Sequence, residues 1–180
     1  MLDFLRRLLR RRAPARFDAV FGGPDDDLVL DLVARIEGPD WRPEHLLSLP
    51  EPWAHVVTLC RFDGIFGNGG LQYWFECDTG LQGTRTCAAL RAVGLPDAAD
   101  ALAAAYQVFP TQGHYDDMGL RMATLRERTA EFEPLEQRLW EGHERVMAHT
   151  AAYARANRAA FEDLRRRRPW HSLTGTFGDA

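Results

Sequence analysis

The sequence predicts an all-α fold, a single compact multi-helix domain closed by a long C-terminal helix. Three observations predict it. Apolar residues recur at helical spacing along most of the chain, as in Leu28, Leu32, Val33 and Ile36. Proline and glycine punctuate these runs, at Gly38-Pro39, Pro50-Glu51-Pro52, Gly94-Leu95-Pro96 and Pro169. No stretch alternates apolar and polar residues between turns, as a half-buried strand would. A chain of 180 residues is long enough to bury a substantial core as one domain.

The elements follow in order. Leu2, Leu5, Leu8 and Leu9, set among Arg6, Arg7, Arg10, Arg11 and Arg12, describe a short basic amphipathic helix over residues 1–16. It reads either as a helix docked by its leucines or as an arm for a membrane surface or a partner. The helical domain is expected over 17–168. Asp25, Asp26 and Asp27 open its next helix, since acidic side chains suit the positive end of a helix dipole. Trp41 and Pro43 begin a short helical turn, and Pro50 starts a helix whose inner face carries Val56, Leu59, Cys60 and Phe66. Gly67-Asn68-Gly69-Gly70 breaks that helix, and Leu71 to Cys77 resumes it until Thr79-Gly80. Helices are expected over about 82–93, from Pro96 to about Phe109, and over about 119–130, with a polar loop from Pro110 to Gly119. A single helix from about Pro134 to Arg166 completes the domain, with Gly142 as a place to bend. Residues 169–180 read as a loose tail.

Charge is strongly segregated. Residues 1–16 hold six Arg and one Asp, and Arg165 to Arg168 add four more positive charges. Between them, residues 17–164 hold 12 Arg against 24 Asp and Glu, a formal charge of −12. There is no lysine. An acidic body repels nucleic acid and attracts basic protein surfaces, so direct nucleic-acid binding is not expected. Three cysteines, Cys60, Cys77 and Cys87, with no secretory signal, suit a reducing cytoplasm better than a disulfide framework. No apolar run is long enough to span a membrane.

Tests for chemistry return little. His143-Glu144 resembles the start of a zinc-protease motif, but the next histidine is His149, on another face of the helix. Glu127, Glu131, Glu133, Glu136, Glu141 and Glu144 interleave with arginines at helical distances, which reads as a solvated, salt-linked face. His114, Asp116 and Asp117 form the best polar cluster in a loop; it reads as a capped loop or as the centre of a small metal-dependent hydrolase. No phosphate-binding Gly-Lys loop and no Gly-x-Ser-x-Gly turn is present. No catalytic residue, metal or cofactor is therefore expected.

Asn68-Gly69-Gly70-Leu71-Gln72-Tyr73-Trp74-Phe75-Glu76-Cys77-Asp78-Thr79-Gly80 is the most distinctive stretch. It resembles the Asn-Gly-Gly-Phe-x-Gln-aromatic-Phe signature of a bacterial family of unknown function that includes the neisserial DNA-mimic protein. Asn68, Gly69, Gly70, Phe75 and Gly80 match directly, Leu71 replaces Phe, and Gln72 falls one place early. The resemblance covers about residues 45–165 and implies an all-helical fold. In the segment itself, Gly69, Gly70 and Gly80 are expected to make sharp turns, Trp74 and Phe75 to anchor the core, and Asn68 to cap a helix.

The resemblance also implies a function: surface carboxylates that imitate a DNA backbone and occupy a DNA-binding protein. The expectation is a non-enzymatic, cytoplasmic, protein-binding domain whose partner presents a basic surface. The residues expected to make that contact are Asp25, Asp26, Asp27, Asp31, Asp116, Asp117, Glu127, Glu131 and Glu133. An immunity or antitoxin-like inhibitor of a toxin enzyme fits a small acidic domain equally.

Overall fold

The computed structural model describes residues 17–77 and 82–167. The expected basic helix of residues 1–16, Gly80 and the tail of residues 169–180 lie outside them. The described residues are helical throughout and form no strand.

A single helical turn, α1 (Phe17–Phe21), buries Phe17, Val20 and Phe21. Helix α2 (Asp25–Ile36) carries its three aspartates in the first turn and buries Leu28, Leu32 and Ile36, together with Val29. A 3-10 turn (Pro43–Ser48) buries Leu46 and leaves Leu47 in solvent. Helix α3 (Glu51–Glu76) is the spine of the fold. It is broken by a kink at Gly69 and Gly70, where the glycine run predicts a break, and Gly70 has φ 62° and ψ −151°. Helices α4 (Gly83–Ala92) and α5 (Pro96–Gln107) form a hairpin. The amide of Gly94 donates to Arg91 O and that of Leu95 to Leu90 O, which satisfies the last carbonyls of α4.

Two expectations are corrected here. The polar stretch from Pro110 to Gly119 contains a helical turn, α6 (Gln112–Asp116), capped by Thr111, because Tyr115 turns inward and is buried. Asp117 then caps α7 (Met118–Glu127), accepting the amide of Leu120 at 2.9 Å. The long C-terminal helix is three pieces: α8 (Thr129–His143), α9 (Val146–Ala156) and a 3-10 segment (Arg158–Arg166). A straight helix over that stretch would run about 50 Å. The chain turns at Glu144 and Arg145 instead, so α8 can lie on α5 while α9 packs on α2 and α3.

The break in α8–α9 matches a division of the core. One apolar cluster gathers Phe62, Phe66, Trp74 and Phe75 of α3 with α4, α5, α7 and α8. A second gathers Trp53, Val56, Val57 and Cys60 of α3 with α1, α2, α9 and the 3-10 segment. Helix α3 serves both, its first half chiefly the second cluster and its second half the first.

Candidate functional site

The kink in α3 is built from both sides. Asn68 lies at the end of the first half, and its side-chain amide donates to the Gly64 carbonyl. Leu71 opens the second half, where the backbone amides lack partners inside the helix. Glu136 of α8 supplies one: the Leu71 amide donates to its Oε1 at 3.3 Å. That oxygen lies 1.7 Å from where a Cβ on residue 70 would sit, so the carboxylate fills the space left by the glycine. Trp74 donates from Nε1 to the Tyr106 hydroxyl at 2.9 Å, and the Phe75 ring meets Tyr106, Phe109, Tyr115 and Phe132 edge-on. Tyr73 faces solvent.

By sequence Glu136 belongs to a solvated acidic face. Its role is invisible at that level because its partner stands 65 residues away. The glycine at position 70 signals that something packs closely there, but not what.

His143 is also tied to this region. Its Nε2 lies 3.1 Å from the Asp63 carbonyl oxygen and 3.2 Å from the Asp63 carboxylate. Burial alone would lower its pKa, but the Asp63 carboxylate and carbonyl together outweigh burial and raise it. His149 Nδ1 donates to the Val93 carbonyl oxygen, 2.9 Å away.

The nine carboxylates expected at a partner contact fall in three places. On α2, Asp25 pairs with Arg155 at 2.6 Å and Asp31 with the buried Arg35. Asp26 is half-buried there and Asp27 exposed. At the α6–α7 junction, Asp116 accepts from Gln112 and Asp117 is spent on the cap of α7. At the α7–α8 junction, Glu131 is held by both ends of the Arg128 guanidinium, at 2.6 and 2.8 Å. Glu127 and Glu133 are exposed and form no ion pair among the described residues.

Glu133 also lines an open groove of about 420 Å³ between the second half of α3, α7 and α8. Its floor is apolar: Leu71, Leu125 and Phe132 are buried, and Met122 is half-buried. Glu76, Glu133 and Glu136 stand around it with Arg126, the one cation among its described lining residues.

The Cys60 thiol is buried and pushed up to about 12, chiefly by burial and then by Asp63 and Glu37. His114 Nδ1 lies 2.8 Å from the Thr111 hydroxyl, apart from the hydrogen bonds of Asp116 and Asp117. Among the described residues no group of three or more His, Cys, Asp or Glu side chains is placed to hold a metal ion. No helix among them is long and apolar enough to cross a membrane.

A family model described as DMP19-like protein matches residues 47–157. The chain belongs to the DMP19-like protein family. Neither a curated protein nor a solved structure matches it. The DMP19-like stretch runs from the 3-10 turn through α9 and so contains the kink, Glu136 and the groove. It also contains Asp116, Asp117, Glu127, Glu131 and Glu133. Helix α2, with Asp25, Asp26, Asp27 and Asp31, precedes it.

Proposed function

We propose that this DMP19-like chain is a non-enzymatic protein-binding domain of the cytoplasm. Its acidic surface takes the basic face of a protein partner, and as a DNA mimic it occupies the face a regulator uses for DNA. The observation that carries the reading is the pair of exposed carboxylates, Glu127 and Glu133, that form no ion pair among the described residues and lie inside the family-matched stretch. Asp116 and Asp117 extend the acidic charge of that stretch. Duplex DNA carries one charge per about 1.7 Å of axis, so a mimic depends on carboxylates that internal arginines have not neutralised. Asp25 and Asp31 fail that condition, since Arg155 and Arg35 already hold them. The family membership and the −12 charge of residues 17–164 support the reading together.

The test is capture of the partner from the source cell, followed by affinity measurement across salt. Affinity should fall steeply between about 50 and 200 mM salt, as charge-driven contacts do. The double variant Glu127→Gln/Glu133→Gln should weaken binding, and Asp25→Asn should leave it unchanged. A complex indifferent to salt, or tight binding of the domain to DNA itself, would reject the reading.

A further inference from the structure

We infer that the groove between α3, α7 and α8 receives a basic amphipathic helix of the protein partner, an inference that rests on the protein-binding reading above. Imitating a phosphate backbone requires charge alone. The groove adds an apolar floor, from Leu71, Met122, Leu125 and Phe132, beneath an acidic rim. The rim fixes the sign of the occupant: among the described lining residues the carboxylates of Glu76, Glu133 and Glu136 outnumber the Arg126 guanidinium, and Glu133 is exposed without an ion pair there, while Glu76 accepts from Gln72 and Glu136 from the Leu71 amide. Exposed Glu127 lies just beyond Arg126 on α7. A cationic side chain finds carboxylates there; an anionic one meets repulsion.

The walls fix the secondary structure. All three are helices, the Leu71 amide at the kink is taken by Glu136, and among the described residues no strand edge offers hydrogen bonds to an extended segment. A helix arrives with its own backbone satisfied and presents apolar side chains on one face with cations beside them. One turn beyond Glu136 on α8, Trp140 packs against Phe66 and is 38% exposed. The groove therefore supplies the part of the contact that survives salt, and the exposed carboxylates supply the part that does not.

Two labelled peptides of identical Leu, Arg and Ala composition test this by fluorescence anisotropy against the full chain. One places its leucines on a single helical face, and the other is scrambled. At about 150 mM salt the amphipathic peptide should bind at least about tenfold more tightly than the scrambled one. Gln72→Trp and Thr129→Trp fill the groove from exposed lining positions. Each should cut amphipathic-peptide binding by about tenfold, with circular dichroism and melting temperature reporting that the fold is retained. Glu133→Gln should weaken both peptides.

Equal binding of the two peptides, no binding of either, or amphipathic binding untouched by both Trp variants overturns the groove assignment. If both peptides bind equally with steep salt dependence, the acidic-surface reading stands without the groove. If the amphipathic peptide binds in the groove but the captured partner is indifferent to salt, the acidic-surface reading falls instead. A dimer in light scattering that the Trp variants dissolve would give the groove to a second copy of this chain and overturn the assignment as well.

Discussion

Glu136 and Gly70 form one unit although they stand on different helices. Gly70, at φ 62° and ψ −151°, occupies backbone space that is essentially open only to glycine. Its missing side chain is what admits the Glu136 carboxylate. Gly70→Ala should therefore cost about 2 kcal/mol or more, from strained backbone and from expulsion of that carboxylate. Urea denaturation measures it, and a variant as stable as the parent would show that the kink is not constrained. Glu136→Ala should cost about 1 kcal/mol, because only the amide partner is lost. His143 adds a pH dependence whose sign is set by its raised pKa. Its contribution is fully present below the unfolded value of 6.5 and is lost as pH rises through the higher folded value. The stability gap between parent and His143→Gln should thus be widest near pH 5.5 and shrink toward pH 8.5. A gap constant across that range would mean that the pair with Asp63 carries no charge-dependent stability.

At the scale of elements, the kink of α3 and the break between α8 and α9 have different origins, and the first is the more plainly written in the local sequence. Gly67-Asn68-Gly69-Gly70 announces a helix break because few sequences of that kind can stay helical. The α8–α9 break lies at Glu144 and Arg145, just beyond Gly142, where the sequence offers a place to bend but does not call for a break. It follows from packing: Gly142 lies against Ala98 of α5, where a Cβ would come within 2.6 Å of the Ala98 Cβ. Helix α8 is thereby pressed onto α5, while Val146, Ala151 and Ala154 of α9 are buried, the latter two in the other cluster. Gly142→Ala should destabilise by about 1–3 kcal/mol through overpacking, and Ala98→Gly in the same chain should recover part of that loss. Thermal denaturation of the four members of the cycle measures the coupling; purely additive effects would mean that the two residues do not meet. The turn α6 is not legible in the sequence for a similar reason. Its sequence is polar, and burial of Tyr115 is what folds it.

Across the whole molecule, arginine decides which of the many carboxylates act outward. Asp18 is gripped by Arg158 and Arg165, Glu37 by Arg61, and Asp100 by Arg91. The exposed pairs add little to stability, commonly less than about 1 kcal/mol each. Arg155 is the exception in stability terms. It bridges α9 to the start of the fold, donating to Phe21 O, Gly23 O and Asp25. Arg155→Ala should cost about 2 kcal/mol, since two carbonyls and a carboxylate lose their donor together. Denaturation followed through a probe on α1 and another on α3 would show α1 loosening first; simultaneous loss would mean that the two ends form one cooperative unit.

The sequence by itself determined the helical class, most helix boundaries and the family. Those depend on periodicity, on Pro and Gly punctuation and on a short motif, all of which act over a few residues. It also listed the carboxylates without ranking them, because a formal charge does not say which arginine stands beside it. Only the tertiary structure separated Glu127 and Glu133 from the neutralised Asp25 and Asp31. Only it brought Glu136 to the kink, and divided the last helix to serve two clusters. Each of those outcomes joins residues far apart in the chain, and close packing in the folded state is what sets their distance.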